Sequence, residues 1–180
     1  PAVATGGGEL VRDDSYRLDA PGATVTLVEF LDPECEACGA MYPVVSRILA
    51  EYEGRLTFVV RYFPLHNNSV LAAKAYEAAG LQGKYWEMYA ILFQNQEAWG
   101  EKREPQTNLF VQYAQTLGLD VTRFRSDLND PALEAKVNRD RADGAALGVR
   151  GTPTFFINGQ LAGSVMTYQD LKAKIDAALR

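Results

Sequence analysis

The chain has 180 residues, 47% of them hydrophobic and 11% aromatic, with 18 Lys+Arg against 23 Asp+Glu. That is the composition of one or at most two globular domains, and it excludes a disordered or collagen-like chain. A net charge of −5 without a basic block argues against nucleic acid or anionic lipid as the main partner. No apolar run approaches the roughly 18 residues that span a bilayer. A compact unit of this length buries roughly 70% of its unfolded surface and needs no staples, so its two cysteines are free for chemistry.

Residues 1–8 (PAVATGGG) are small and Gly-rich and read as a flexible lead-in or tether. They make no phosphate loop, because no Lys-Ser/Thr or helix start follows. The chain opens on Pro1, which reads as a processed or trimmed product whose signal peptide or anchor is already gone. Residues 1–23 as a whole are expected to be this lead-in, with room for a first strand.

Residues 24–31 (TVTLVEFL) are β-branched and apolar on both faces except at Glu29, the pattern of a strand covered on both sides. From 37 to 52, Met41, Val44, Val45, Ile48 and Leu49 recur at helical spacing, with Gly54 as the stop. Residues 55–63 (RLTFVVRYF) read as a second strand. Strand, helix and strand in this order predict a parallel crossover in an α/β sheet. The next eighty residues break that pattern, with helices expected over 69–81, 84–94, 107–117, 120–128 and 131–147. Asp120 caps one of them, and Asp130-Pro131 supplies a cap followed by proline in the first turn. Strand sequence returns at 154–157. Asn158-Gly159 and residues 160–165 then predict a hairpin with a two-residue turn. Thr167 caps a last helix with Leu171, Ile175 and Leu179 on one face.

Cys35-Glu36-Ala37-Cys38 carries the strongest chemical signal. It lies where a buried strand ends and a helix begins, so both sulfurs fall on one helical turn, close enough to bridge. Unsatisfied N–H groups and the positive end of the helix dipole favour a thiolate at Cys35. A drop in its pKa from about 8.5 to about 6 would raise the reactive fraction at pH 7 from roughly 3% to roughly 90%. Cys38, one turn deeper, is expected to be shielded. An exposed attacking thiolate with a hidden resolving thiol is what disulfide exchange requires. A zinc site lacks ligands, since there is no third cysteine and His66 is the one histidine. A purely structural disulfide over so short a loop would stabilise weakly.

Glu29 interrupts the strand on the same alternating face as Val25, Leu27 and Leu31. Buried there, its carboxyl pKa rises and it can carry a proton to and from Cys38. On an edge strand it would simply face solvent. Pro153, just before Thr-Phe-Phe-Ile, cannot donate to a sheet ladder and belongs at a strand entrance, in a cis bond or an ordinary trans turn. His66 reads as a lone surface or core histidine. Tyr85, Trp86, Tyr89 and Phe93 read as core at helical spacing, and residues 101–104 (EKRE) as a solvated loop. No metal, nucleotide or flavin motif appears, and no cofactor is expected.

Taken together these motifs resemble the thioredoxin superfamily, and within it the DsbA-like thiol-disulfide oxidoreductases. The resemblance rests on the strand with Glu29 at the family's buried acid, Cys35 and Cys38 as the redox pair, Pro43 where related helices kink, and Thr152-Pro153 at the cis-proline position. Residues 61–65 and Lys84-Tyr85-Trp86-Glu87 look like the family's helical insertion. It implies an α/β thioredoxin fold, residues 24–66 and 148–180, interrupted by an all-helical subdomain, residues 67–147. It implies too that Cys35 attacks, Cys38 resolves, and the backbone at Thr152, with Pro153, holds an extended substrate peptide beside Cys35. The expected partners are disulfide-containing or dithiol proteins and a redox partner protein, in the periplasm or another extracytoplasmic space, with a membrane tether compatible with the lead-in. Strongly oxidising members carry histidine between the cysteines. Glu36-Ala37 here, with Glu34 adjacent, opposes the helix dipole by about 0.3–1 kcal/mol per exposed charge and implies a less oxidising protein. The rival readings are a soft-metal (copper) carrier using the two cysteines and a chaperone-like binding domain.

Overall fold

The structure, a computed structural model, describes residues 8–180. Five strands, β1 (Arg17–Leu18), β2 (Val25–Leu31), β3 (Leu56–Tyr62), β4 (Thr154–Ile157) and β5 (Gln160–Leu161), form one sheet in the order β1-β3-β2-β4-β5. β2 and β3 are parallel and joined through α1 (Glu36–Glu51), as the strand-helix-strand pattern predicts, while β1, β4 and β5 attach antiparallel. Between β3 and β4 come α2 (Ser69–Gly80), α3 (Tyr85–Gln94), α4 (Gln96–Trp99), α5 (Thr107–Thr116), α6 (Val121–Leu128) and α7 (Pro131–Ala146); α8 (Tyr168–Ala178) closes the chain.

Both faces of the central strands are dry, which is why β2 is apolar at successive positions. Val25, Leu27 and Leu31 pack with Met41, Val45 and Ile48 of α1 and with Leu171 and Ile175 of α8, in a cluster that continues into the helices after β3. Val28 and Phe30 face a second cluster with Val59, Phe63, Val149, Phe156 and Leu10. The alanines of α2, Ala72, Ala73, Ala75, Ala78 and Ala79, are all buried and let that helix sit close to its neighbours. Helix starts follow the expected chemistry: Asp120 accepts from the Arg123 N–H, Asp130 from the Ala132 N–H before Pro131, and Thr167 forms a reciprocal box with Asp170. Tyr85, Tyr89 and Phe93 are core residues, as read from their spacing.

Three expectations change. The second arm of the terminal hairpin is Gln160–Leu161 alone; Asn158 and Gly159 both take positive φ as the tight turn requires, and Gly163, at φ +69, then turns the chain out of the sheet. A short helix, α4, occupies a stretch without periodic signal. Residues 1–7 of the expected lead-in lie outside the described residues, but from Gly8 onward the chain is packed, with Leu10 in the second cluster and β1 paired to β3.

What anchors this segment is a buried ion network. Arg61 of β3, fully buried, donates to Asp140 (2.9 Å) and Asp143 (2.6 Å) of α7 and to the carbonyls of Glu9 and Leu10. Arg12 closes on Asp143 at 2.6 Å. Burial works to raise the Asp143 carboxyl, but the hydrogen bonds from Arg12 and Arg61 outweigh it and hold it down to about 2. Removing one partner from such a network leaves a buried charge uncompensated, so Asp143→Ala should cost about 3–5 kcal/mol in urea unfolding at neutral pH. A carboxylate held below its unfolded value stabilises the fold above that value, 3.8, and the contribution fades as pH falls through about 2. The gap between wild type and Asp143→Asn is therefore expected to be full at pH above ~5 and to close toward pH ~2.

Candidate active site

β2 ends at Leu31, and the chain turns through Asp32, Pro33 and Glu34 into α1, with Cys35 as the N-cap residue. The Cys35 N–H donates to the Asp32 carbonyl (3.1 Å), closing the turn, and the Asp32 N–H points at Cys38 Sγ (3.5 Å). Both cysteines are free thiols; Cys35 is half-buried and Cys38 is 1% exposed. The expected asymmetry between the two sulfurs is present in their surroundings.

Electrostatics separate them further. The hydrogen bond from Cys38 is the largest influence on Cys35; partial burial opposes it, and the Thr152 hydroxyl and the backbone N–H groups of Cys38 and Ala37 add to it, bringing Cys35 down to about 5. Thr152 Oγ1 is buried and has no hydrogen-bond partner among the described residues. Burial pushes the Cys38 thiol well up, and the neighbouring Cys35 and Glu29 charges push it further. The thiolate is thus confined to the accessible sulfur.

Across the site, the Thr152–Pro153 peptide bond is cis, and the Thr152 carbonyl lies 3.6 Å from Cys35 Sγ. Glu29 is 2% exposed on the face of β2 that Val25 and Leu27 share, and its Oε2 has no hydrogen-bond partner. Desolvation raises its carboxyl to about 8. The sequence reading of a buried, raised acid on this face, and of Thr152 beside Cys35, agrees with these positions.

The sequence did not announce the groups that hold the turn in place. Asp32 is fully buried: Oδ1 accepts from the Glu34 N–H (2.9 Å), and Oδ2 accepts from the Leu65 N–H (2.8 Å) and lies 2.6 Å from His66 Nδ1. Glu34 does not face solvent as an opposing charge would; its oxygens accept from the Asn68 N–H (2.5 Å) and the Glu101 N–H (3.0 Å). Gln96 of α4 donates to the carbonyls of Pro33 (2.8 Å) and Cys35 (3.0 Å). A Cβ at Gly39 would collide with the Gln96 carboxamide, so glycine in this first turn is a usable signal for the contact. Beside the turn, a groove of about 1190 Å³ runs between α1 and α3–α4, lined by Glu34, Glu36, Gln96, Glu97, Glu101 and Lys102 among others. Among the described residues no group of three or more His, Cys, Asp or Glu side chains is arranged to hold a metal ion.

A family model described as thioredoxin matches residues 14–177. The chain belongs to the thioredoxin family. Among solved structures, this thioredoxin-family chain is similar to a thioredoxin-like oxidoreductase from Silicibacter pomeroyi DSS-3 (27% identity, TM-score 0.78, 93% of each chain). It shares its fold with the thiol-disulfide exchange protein alpha-DsbA2 from Wolbachia pipientis (24% identity, TM-score 0.76, 91% of this chain and 86% of that one). The fold is therefore the DsbA-like form of thioredoxin, with the helices α2–α7 between β3 and β4. A curated relative, the Na(+)/H(+) antiporter NhaA of Herminiimonas arsenicoxydans, is 35% identical over 158 residues, 88% of this chain. The chain spans about a quarter of that relative's length, 24%.

The raised carboxyl of Glu29 has a measurable consequence. In the fold it keeps its proton up to about 8, whereas unfolded it ionises near 4.5. Between those values the unfolded state binds fewer protons, so stability falls as pH rises across the window. Glu29→Gln, neutral at every pH, should unfold at nearly the wild-type urea concentration at pH ~4 and be more stable than wild type by on the order of a few kcal/mol at pH ~8. A wild-type advantage at the higher pH would mean that the ionised carboxylate is compensated.

Proposed function

We propose that this chain is a thiol-disulfide oxidoreductase acting on protein substrates through Cys35 and Cys38. The observation that carries the reading is the opposite treatment of two sulfurs on one helical turn: an accessible one lowered to about 5 and a sealed one raised. In the reducing direction the Cys35 thiolate attacks a substrate disulfide and expels one substrate thiolate, giving a mixed disulfide. Cys38 then loses its proton and attacks Cys35 Sγ; the second substrate thiolate leaves, the Cys35–Cys38 disulfide forms, and two electrons have passed to the substrate. The oxidising direction runs the same bonds backward, with a substrate thiolate attacking Cys35 and Cys38 leaving as a thiolate that needs a proton.

Glu29 serves that proton, directly or through a bridging water. Being neutral up to about 8, it is in the form that gives a proton to a departing Cys38 at neutral pH; its ionised form receives one in the reverse step. The Thr152 carbonyl beside Cys35 offers an acceptor to an extended substrate backbone, and Pro153 holds that segment clear of the sheet ladder. The domain division follows: residues 24–66 and 148–180 carry the redox pair and the residues 67–147 form a helical insertion whose Gln96 steadies the turn. Its partners are disulfide-containing or dithiol proteins and a redox partner protein.

An extracytoplasmic setting fits this chemistry, because protein disulfides persist there and are reduced in the cytosol. No described helix is long and apolar enough to cross a membrane. The test is a trap. Cys38→Ala should accumulate a mixed disulfide with a dithiol or disulfide protein through Cys35, and Cys35→Ala should abolish exchange. Alkylation of reduced protein should titrate at Cys35 with a midpoint of about 5 and leave Cys38 untouched in the folded state. Equal alkylation of both thiols, or no trapped species, would sink the reading.

A further inference from the structure

The segment that carries both sulfurs has no cation of its own. Between Arg17 and Arg47 the sequence holds no Lys or Arg, while Asp32, Glu34 and Glu36 surround Cys35 along the chain. The Asp32 carboxylate is fully buried, and two of its partners are backbone N–H groups. The third is His66, the one histidine in the protein, on the segment between β3 and α2. Its N–H is fixed by Ser69 Oγ (2.9 Å), its Nδ1 lies 2.6 Å from Asp32 Oδ2, and the side chain remains 45% exposed.

We propose that His66 is a positioning residue of the exchange reaction: held on Asp32 as an imidazolium, it supplies from outside the Cys35–Cys38 turn the positive charge that favours the Cys35 thiolate. The proposal rests on Cys35 being the attacking sulfur. Its geometry is direct, because Asp32 ties all three groups together. The Asp32 carbonyl takes the Cys35 N–H, its N–H meets Cys38 Sγ, and its carboxylate meets His66. The charged groups that face the imidazole are Asp32, Glu34 and Cys35, all in the turn between β2 and α1. Burial disfavours the imidazolium, but the Asp32 hydrogen bond and the charges of Asp32, Cys35 and Glu34 outweigh it and raise the pKa above its usual 6.5. The imidazolium is accordingly present below the raised value and is lost as pH rises through it.

Coupling between two titrating groups is reciprocal. Whatever His66 does to Cys35, the Cys35 thiolate does to His66. In the reduced protein the single imidazole C2 proton resonance should therefore titrate higher than in the oxidised protein or in Cys35→Ser. The Cys35 alkylation midpoint of His66→Asn, which keeps a hydrogen-bond donor for Asp32 without the charge, should move upward by a matching amount, on the order of threefold in the ionisation constant. His66→Lys, charged throughout, should restore the low midpoint and hold it above the pH at which the wild-type histidine loses its proton. The Cys35–Cys38 equilibrium with glutathione should shift about threefold toward the disulfide in His66→Asn at pH ~6, and this difference should vanish once the pH is well above the point at which the wild-type histidine loses its proton. Identical histidine midpoints in reduced, oxidised and Cys35→Ser protein, or an unmoved Cys35 midpoint in His66→Asn, would overturn the proposal. If these linkages appear while wild type exchanges no protein disulfide, the His66 assignment stands and the oxidoreductase reading falls.

Discussion

Everything at the site depends on covering the β2–β3 pair on both faces, which leaves the chain only the strand ends from which to meet a substrate. At the end of β2 the backbone must leave the sheet, and Asp32 manages that exit. Its main chain closes the turn onto Cys35 and touches Cys38, while its buried carboxylate draws in the segment that follows β3, through Leu65 and His66. An apolar residue there would leave the buried Glu34 N–H without an acceptor, a penalty of about 1–3 kcal/mol, and would release the Leu65 N–H. The redox turn is thus held by the two parallel strands rather than by its own helix alone.

The buried charges divide into two kinds. Arg61, Asp140, Asp143 and Arg12 form a network in which opposite charges face one another, and Glu34 has both oxygens on backbone N–H groups. These groups fix helices and loops to the sheet. Glu29 is different: it is equally buried, one oxygen has no partner among the described residues, and burial is what raises its carboxyl. A carboxyl in that position remains neutral rather than finding a counter-charge, which costs stability at neutral pH; the proposed exchange gives that proton a use. Its neighbour Cys38 is the group whose proton moves in the proposed exchange.

Much of this was legible in the sequence because it is local. The alternation of β2 gave the face on which Glu29 lies, the i,i+3 offset put Cys35 and Cys38 on one turn, and the Asp120, Asp130 and Thr167 caps marked three helix starts. The long-range contacts were not legible. His66 meets Asp32 across 34 positions and Gln96 meets Cys35 across 61, and neither residue carries a periodic or capping signal. Glu34, adjacent to Cys35, reads as an exposed charge opposing the helix dipole; its partners Asn68 and Glu101 lie far along the chain, so only the folded structure reveals that it is tied down. The packed segment after Gly8 was hidden for the same reason, since its anchor Asp143 is more than a hundred residues away.

These long-range groups change the electrostatic argument about the redox pair. Counted along the sequence, Glu34 and Glu36 subtract from the helix dipole that favours the Cys35 thiolate. In the fold, Cys35 draws on the hydrogen bond from Cys38, the Thr152 hydroxyl and two backbone N–H groups. Each such bond is charge-assisted and acts in a half-buried setting, where it outweighs an exposed carboxylate such as Glu36 that water screens. Every one of those bonds is lost or reoriented when Cys35 becomes part of a disulfide, so they favour the reduced form of the pair specifically. The acidic dipeptide is therefore a weak guide to the direction in which this protein moves electrons, and the surroundings of the Cys35 sulfur are the stronger one.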